Sequence, residues 1–540
     1  MNTSLNTQIQ NQKYIVLKAA IISRVFLWVY SIAISGLIDN FDSSTGLKSI
    51  SPLKSYEEDQ KLYLRDHTTE SQFVNSFIKR VFVKWDSIYF TRIAEFGYEY
   101  EQNHAFFPLY PLLMNGLGRV ISILLGNKVI FSDCIIIAGF IISNVAFILS
   151  ALQLLKLGNI IFKNSKISLV AALLYCMNPA GIFTVAVYTE SLFSLFIFSG
   201  LVELFGNDYY LGVNGRSLDF HYLPLHKKLL AGTKSSIYFA LATFTRSNGI
   251  LSCGFIIFSY YSHYFISLFR MIFKRLNSIL TTSKTRLVKP HLSPSTSYDK
   301  LSTSIVNPVS NYTLFEELVI LPTALLIQIL IVFAPYIAFQ FYGYLRFCSG
   351  ASSDLNPIKN GIWPRVWCQE GIVPNLYGFV QNAYWNQGFF NYYTVNQIPN
   401  FLLASPMVII AVSGIFSYIR YFIQNPNQMI YSSFKLRSKN MNISEQVESF
   451  YSPHLIPFIL YLLFLTVFSV AFMHVQVITR FFIHSPIIFW FSAKHFLTNG
   501  TKDNTPKKST NTIIQQIILF YFILYNVLGC IMFCNFYPWT

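Results

Sequence analysis

The chain has 540 residues, of which 53% are hydrophobic and only 12% are charged. Because soluble domains usually carry about 25% charged residues, this composition excludes an ordinary soluble globular protein. The formal net charge is +16, but the basic residues cluster in loops between apolar segments, which is typical of membrane-protein topology and not of nucleic-acid binding.

Apolar stretches of about 20 residues recur along the chain, and each is long enough to cross a bilayer core of about 30 Å. Such segments must be helical, because no water is present in that core to satisfy the backbone. About ten or eleven spans are predicted on this basis. They lie at roughly 14–37, 106–125, 133–157, 167–187, 190–206, 236–262, 315–343, 401–423, 455–474, 477–493 and 513–535. The first is too long for the core of a cleavable signal peptide and is interpreted as a retained span.

A basic stretch at 263–314, rich in Ser, Thr and Pro, is predicted to be a flexible cytosolic linker. It separates an N-terminal membrane region, 1–262, from a C-terminal membrane region, 315–540. The number of crossings between 106 and 262 stays open, because re-entrant hairpins are an alternative to full spans.

Two further basic loops, 424–453 and 494–512, are assigned to the cytosol by the positive-inside rule. The aromatic segment 344–400 then lies on the luminal side. The first loop, 38–105, is also luminal if the N-terminus is cytosolic.

The first loop contains the strongest candidate catalytic residue, Asp86, within Trp85-Asp86-Ser87-Ile88-Tyr89-Phe90. Aromatic residues suit the membrane interface, and an acid held among them is suited to act as a general base. The alternative is an ordinary interfacial loop in which Asp86 caps a helix.

Two more charged residues interrupt apolar sequence, and such groups are usually retained for function or for pairing. Glu190 follows Tyr188-Thr189. It either has a functional role or begins a helix after a break between two spans, because a negative charge is favoured at a helix N-terminus. Arg246 precedes Ser247-Asn248-Gly249, a combination suited to a phosphate. The alternative for Arg246 is a buried ion pair with Glu190 or Asp86.

The segment 344–400 interleaves aromatic and amide side chains, as in Trp385-Asn386-Gln387, which suits sugar binding. The alternative is a cap that rests on the membrane. Cys348 and Cys368 lie in the same segment, and a luminal location would allow a disulfide between them, with free thiols as the alternative. The aromatic residues are Trp363, Trp367, Tyr377, Tyr384, Trp385, Phe389, Phe390, Tyr392 and Tyr393.

The motif His474-Val475-Gln476, with Thr479-Arg480, joins two apolar segments. His474 and Arg480 are predicted to face the lumen and bind an anionic head group, or Arg480 is a snorkelling interfacial residue. The sequence contains neither a phosphate-binding loop nor an HExxH metal motif, so ATP hydrolysis and a structural metal are not indicated.

In combination these motifs resemble the GPI mannosyltransferase 2 family (phosphatidylinositol-glycan class V type). They occur in order along nearly the whole chain, and 263–314 carries none of them. The resemblance rests on Trp85-Asp86 with Ala94, Gly97-Tyr98, Ala105-Phe106-Phe107-Pro108, Asn178-Pro179-Ala180, Tyr188-Thr189-Glu190-Ser191, Arg246-Ser247-Asn248-Gly249, Tyr384-Trp385-Asn386-Gln387-Gly388-Phe389, Gln397-Ile398-Pro399-Asn400-Phe401, His474-Val475-Gln476, Thr479-Arg480 and Pro538-Trp539.

The resemblance implies an all-α polytopic membrane protein of the GT-C type, located in the endoplasmic reticulum membrane. It implies transfer of mannose from dolichyl-phosphate mannose to a GPI-anchor precursor on the luminal side, adding the second mannose through an α-1,6 linkage. The donor bond is β and the product bond is α, so the reaction should invert. The implied partners are these two substrates, membrane lipids and, as in some relatives, a small membrane subunit. No cofactor, metal or nucleic acid is expected.

The same resemblance assigns roles to the residues. Asp86 is expected to be the base, Arg246 and Arg480 to hold the donor phosphate, and Glu190 to orient Arg246 or the acceptor. Substrate-binding or orienting roles are expected for Trp85, Tyr188, His474, Gln476, Trp385 and Asn386. The short helices near 106–206 are expected to form the groove for the lipid donor.

Two other functions are weighed against this one. A transporter would share the intramembrane Glu and Arg but should show internal repeats, and no convincing repeat is found in the sequence. Another dolichyl-phosphate-sugar-dependent GT-C transferase would share the fold and Asp86, but not the combined later motifs.

Overall fold

The computed structural model describes residues 2–41, 74–126, 129–162, 165–206, 224–285, 313–348, 365–369, 375–427, 449–497 and 506–539. Over these ranges the structure is helical and has no strand, which confirms the predicted all-α fold. The helices are α1 Asn2–Leu37, α2 Asp86–Phe96, α3 Leu109–Leu124, α4 Phe131–Phe162, α5 Ser165–Cys176, α6 Gly181–Val185, α7 Glu190–Phe205, α8 Leu225–Thr245, α9 Cys253–Thr285, α10 Leu321–Phe347, α11 Leu376–Ala383, α12 Ile398–Gln424, α13 Ile456–Phe472, α14 Ile478–Phe481, α15 Pro486–Leu497 and α16 Pro506–Cys534. Shorter helical pieces lie at Val74–Lys79, Arg80–Phe82, Glu101–Ala105, Ser247–Ser252, Glu316–Ile320, Val366–Gln369, Val395–Gln397, Ser449–Tyr451, Pro453–Leu455 and Val475–Val477.

Within these ranges, six helices are long and apolar enough to cross a membrane, or up to eight if each of two bent helix pairs is one span. The six are Thr7–Leu37, Phe131–Phe162, Glu316–Phe347, Val395–Gln424, Pro453–Phe472 and Thr512–Cys534. The bent pairs are Ser247–Ser262 with Tyr264–Thr281, and Val475–Phe481 with Pro486–Leu497. The chain is thus a multi-pass membrane protein.

The larger number of spans predicted from the sequence comes from short apolar segments. The segment 167–187 is not one helix, because α5 ends at Cys176, before Pro179, and α6 begins at Gly181. Helices α3 and α7 have 16 residues each, just below the length of about 17 residues that a span needs.

The predicted linker 263–314 begins inside a helix. Helix α9 continues to Thr285 after a kink at Tyr261, so the first part of the linker is helical. Apolar residues such as Phe269 and Phe273 recur at helical spacing among the basic ones, which favours an amphipathic helix. The prediction for 286–312 lies outside the described residues.

The break between α5 and α6 is held in place by the last helix, α16. Asn526 donates two 2.9 Å hydrogen bonds from Nδ2, to the carbonyl oxygens of Met177 and Asn178. A Cβ atom on Gly181 would lie only 1.8 Å from Asn526 Oδ1, so this approach requires glycine. The contact fixes the chain immediately before the Tyr188–Glu190 motif.

An arginine in the first span stabilises the same region. Arg24 is 1% exposed, donates a 2.6 Å hydrogen bond to Thr184 Oγ1, and lies 3.6 Å from the Phe147 ring centroid. A guanidinium over an aromatic face is favoured electrostatically, which offsets part of the cost of burying it. The sequence reading missed Arg24, although a lone charge in an apolar span is itself a signal.

The described parts of the aromatic segment 344–400 are fastened to the first loop through Glu101. Its carboxylate accepts hydrogen bonds from Arg365, Trp367 and Tyr384. The hydrogen bond raises the pKa of Tyr384 to about 12. Cys348 and Cys368 form a disulfide in the same region, which favours the first of the two alternatives left open by the sequence. Trp363 lies outside the described residues.

His104, in the helical turn at the end of the first loop, is buried between aromatic rings. Its ring centroid lies 4.6 Å from that of Tyr98 and 4.8 Å from that of Phe339. Burial, with the nearby guanidiniums of Arg346 and Arg365, lowers the pKa of His104 from 6.5 to about 3. Near pH 6.5 the His104 imidazole is therefore neutral in the folded chain, whereas in the unfolded chain it is already partly protonated.

We expect this histidine to make folding stability pH-dependent. Because the unfolded state binds the proton more readily, stability falls as the pH drops below about 6.5, by up to about 1.4 kcal/mol per pH unit. His104→Phe should remove about 1.6 kcal/mol of the loss between pH 6.5 and pH 5. Thermal unfolding in detergent at both pH values measures this, with exposed His226→Phe as the control. An unchanged pH dependence in His104→Phe would contradict it.

Candidate active site

Asp86 is the first residue of α2, and the backbone before it is strained. Trp85 has φ of 55°, a conformation that residues other than glycine rarely adopt and that typically costs about 1–3 kcal/mol. The Asp86 backbone N–H donates to the Tyr188 hydroxyl at 3.1 Å, and that hydroxyl donates to the Lys84 carbonyl at 3.2 Å. These bonds fix the start of α2 against the loop before α7.

Two carboxylates and two guanidiniums alternate in one ion-pair network, which we call the charge network. Asp86 Oδ2 lies 2.7 Å from Arg480 Nη1, which lies 3.7 Å from Glu190 Oε1. Glu190 Oε1 in turn lies 2.7 Å from Arg246 Nη1. The Glu190 side chain is 1% exposed and the Asp86 side chain 26% exposed, so Glu190 is the buried centre and Asp86 the more accessible acid.

The local structure at each member explains how they meet. Glu190 is the first residue of α7, where the helix dipole favours its charge. Arg246 lies in extended backbone between α8 and the turn Ser247–Ser252, which breaks the span predicted at 236–262. Arg480 lies in α14, the short helix at the bend of a broken apolar pair. All four members therefore come from helix starts or helix breaks.

Two polar atoms of the charge network, Glu190 Oε2 and Arg480 Nε, are buried with no hydrogen-bond partner within the described ranges. Leaving a buried polar group unsatisfied costs about 1–3 kcal/mol. These atoms are therefore available to bind a ligand hydroxyl or phosphate oxygen.

The charge network lines a cavity of about 350 Å³. Amide, hydroxyl and aromatic groups also line it, and among them Ser247 Oγ and Tyr377 Oη lie 2.8 Å apart. The remaining lining is apolar. The cavity is lined by Asp86, Phe90, Ala105, Phe106, Phe107, Tyr188, Thr189, Glu190, Thr245, Arg246, Ser247, Asn248, Tyr377, Gly378, Gln381, Trp385, Gln387, Gly388, Phe468, Phe472, Met473, Val477, Arg480 and Phe481.

Most of the residues singled out from the sequence meet at this cavity. The lining includes Asp86, Tyr188, Glu190, Arg246, Trp385 and Arg480. Both alternatives for Arg246 are compatible with the structure, since it pairs with Glu190 and also borders the cavity. The capping alternative for Asp86 is not what the structure shows, because the N-cap residue of α2 is Trp85 and the Asp86 carboxylate contacts Arg480.

The other four predicted substrate residues lie beside the cavity and are not part of its lining. Trp85 packs edge-on against Phe536, with ring centroids 5.8 Å apart. His474 stacks on Tyr392 at 4.5 Å, and burial lowers the pKa of His474. Asn386 has φ of 48° in the turn after Trp385, and Gln476 Oε1 is buried.

Apolar lining residues of α13, Phe468 and Phe472, were not recognised from the sequence. They belong to a uniformly apolar span, in which composition does not show which face meets the cavity. The segment 106–206 contributes Phe106, Phe107, Tyr188, Thr189 and Glu190 to the lining, and α13 with the residue after it contributes Phe468, Phe472 and Met473. Within the described residues, no group of three or more His, Cys, Asp or Glu side chains could hold a metal ion.

Comparison with known proteins gives the following similarities. A family profile described as "Mannosyltransferase (PIG-V)" matches residues 13–288 and 299–540. The GPI alpha-1,6-mannosyltransferase 2 of Cricetulus griseus is 29% identical over 505 residues, covering 85% of this chain and 87% of that protein. The Homo sapiens protein of the same name is 29% identical over 499 residues, covering 84% and 87%. GPI mannosyltransferase 2 of Chaetomium globosum is 27% identical over 531 residues, covering 95% and 93%.

Among solved structures, the archaeal oligosaccharyltransferase AglB from Archaeoglobus fulgidus, in complex with an inhibitory peptide and a dolichol-phosphate, aligns with a TM-score of 0.42 at 10% identity. The alignment covers 96% of this chain and 56% of the AglB chain, so this chain spans a little over half the length of that protein.

Proposed function

Because the chain belongs to the mannosyltransferase (PIG-V) family, we propose that it adds the second mannose of a GPI-anchor precursor through an α-1,6 linkage. The names of its relatives support this reaction. We further propose dolichyl-phosphate mannose as the donor, the luminal side of the endoplasmic reticulum membrane as the place of reaction, and association with a small membrane subunit. Co-purification tests the last of these.

The observation that carries the proposal is that the charge network lines one cavity together with both polar and apolar side chains. A lipid-linked sugar needs such a combination, because it presents a phosphate, a hydroxylated ring and a hydrocarbon tail together. A transporter is not favoured, since the family match extends over 13–288 and 299–540.

Asp86 is proposed as the base of an inverting displacement. The acceptor hydroxyl passes its proton to the Asp86 carboxylate while its oxygen forms a bond to the mannose anomeric carbon. The bond from that carbon to the phosphate oxygen breaks on the opposite face, so a β bond is replaced by an α bond. General-base assistance of this kind contributes typically about 10²–10⁴-fold.

The two arginines are proposed to stabilise the departing phosphate. Dolichyl phosphate leaves without needing a proton, but its developing negative charge needs fixed positive charge nearby. Arg480 contacts the base itself, so it holds Asp86 in place as well as facing the phosphate. Arg246 supplies the second guanidinium, and Glu190 Oε1 lies between the two arginines, 2.7 Å from Arg246 Nη1 and 3.7 Å from Arg480 Nη1, so it orients both.

The amide and aromatic wall is proposed to bind the sugar rings. Gln381 and Gln387 offer donors and acceptors to hydroxyls, and the Trp385 ring offers an apolar face to the C–H side of a pyranose. Trp385 Nε1 is buried without a partner in the described structure, so it is a further donor for a sugar hydroxyl. No cofactor is proposed, because arginine charge can support this displacement.

Expression in cells that lack the second GPI mannose tests the function. The one-mannose intermediate that accumulates in such cells should be cleared by this chain. The purified protein in nanodiscs should also transfer mannose from dolichyl-phosphate mannose to that intermediate, in a linkage cut by an α-1,6-specific mannosidase. Persistence of the intermediate despite membrane expression, or a product resistant to that enzyme, would overturn the proposal.

A further inference from the structure

Helix α13 carries a ladder of stacked aromatic rings, defined as Phe464, Phe468 and Phe472. The residues are spaced four apart and therefore lie on one helix face. The ring centroids of Phe464 and Phe468 are 5.9 Å apart with planes 9° apart, and those of Phe468 and Phe472 are 5.2 Å apart with planes 18° apart. Phe389, from the aromatic segment, extends the ladder at 5.2 Å from Phe472.

The ladder lies on the surface of the described structure. Its members are 50%, 38% and 40% exposed in sequence order, whereas the opposite face of α13, including Ile459, Leu462 and Thr466, is buried. Exposed apolar residues on a membrane helix ordinarily face bulk lipid. This ladder differs from an ordinary lipid-facing surface because it continues into the catalytic cavity, which Phe468 and Phe472 also line.

The inner end of the ladder leads directly to the charge network. After Phe472, the chain continues through Met473 and Val477, which line the cavity, to Arg480. The next residue, Phe481, has its ring centroid 5.9 Å from the Arg246 guanidinium carbon. A hydrocarbon surface that starts on the outside of the helix bundle therefore ends in the cavity that both guanidiniums line.

We propose that the ladder binds the polyprenyl tail of the lipid-phosphate donor. This rests on the proposed function. In such a donor the tail is bonded directly to the phosphate, so its hydrocarbon must begin immediately next to the arginines. In a GPI acceptor, sugars and an inositol phosphate separate the reacting hydroxyl from the lipid tails. A hydrocarbon track that starts at the charge network thus fits the donor and not the acceptor.

Phe464→Ala tests the proposal, because Phe464 belongs to the ladder but not to the cavity lining. We expect KM for full-length dolichyl-phosphate mannose to rise about fivefold, equivalent to about 1 kcal/mol, with kcat unchanged. KM for a donor with a ten-carbon tail should stay within about twofold, because that tail is too short to reach Phe464. The matched control is Phe520→Ala, a 66% exposed phenylalanine on α16, which should leave both donors unaffected. Equal effects on the two donors, or no effect on either, would overturn the assignment.

A binding measurement tests the role of the ladder independently of the proposed function. A photoreactive polyprenyl phosphate without sugar, added to wild-type protein in nanodiscs, should label the peptide that contains Ile456–Phe472. Unlabelled dolichyl phosphate should compete, and Phe464→Ala should reduce the labelling several-fold. Labelling confined to other helices would reject the ladder. Wild-type protein that transfers no mannose yet labels on α13 would reject the proposed function and retain the ladder.

Discussion

Asp86→Asn is expected to reduce kcat for mannose transfer by about 10²–10⁴-fold, the range that a general base contributes. The amide cannot accept the acceptor proton, but it keeps the size of the side chain and an oxygen for Arg480, which lies 2.7 Å from Asp86 Oδ2. The KM for the donor should therefore change little. Steady-state transfer by purified protein in nanodiscs, with donor and acceptor varied in turn, measures both constants.

Glu99→Gln is the matched control for this substitution. Glu99 lies near Asp86 in the chain and pairs with Arg92 at 2.7 Å, away from the cavity lining. The same carboxyl-to-amide change there should leave kcat within about twofold, since a pair near the surface contributes little. A full transfer rate in Asp86→Asn would show that another group is the base.

Arg480→Met is expected to have the second large effect, a fall in kcat/KM of about 10²–10³-fold, the range found when one donor to a developing charge is removed. Arg480 is the member of the charge network that approaches both carboxylates, at 2.7 Å and 3.7 Å. Its loss removes positive charge from the phosphate side and also leaves Asp86 unpaired. Both KM for the donor and kcat should worsen.

Arg480→Lys distinguishes charge from geometry. A lysine restores the charge but not the further N–H donors of the planar guanidinium, such as the unpartnered Nε, so its rate should lie between those of the wild type and Arg480→Met. Arg92→Met is the control, because Arg92 has the same chemistry in a pair outside the cavity lining. A wild-type donor KM in Arg480→Met would assign the phosphate to Arg246 alone.

The members of the charge network can be predicted from the sequence because charged groups are costly at membrane depth. Glu190, Arg246 and Arg480 therefore stand out in apolar sequence, and Asp86 stands out among aromatic residues. The sequence offers a Glu190 pairing as one alternative for Arg246. It does not predict the pairing of Arg480 with Asp86, because the two residues are 394 positions apart.

Other features of the site depend on the folded backbone, and the local sequence does not indicate them. The positive φ of Trp85 follows from how the chain enters α2, and no residue preference indicates it. The sequence motif Asn178-Pro179 left a helix break as an alternative, but the contact of Asn526 with that break needs the packed structure. The Phe464–Phe472 spacing is visible in the sequence, whereas the face that it occupies is not.

The separation of 394 residues between Asp86 and Arg480 has a consequence for biosynthesis. At about 5–20 residues per second, the ribosome makes Arg480 roughly 20–80 s after Asp86. Glu190 and Arg246 are only 56 residues apart, so they can form their ion pair long before Arg480 is synthesised. During that time Asp86 has no Arg480 to pair with. The Glu190–Arg246 pair can therefore form before the charge network is complete, and a nascent chain halted before Arg480 would carry an uncompensated carboxylate at the place where the substrate later binds.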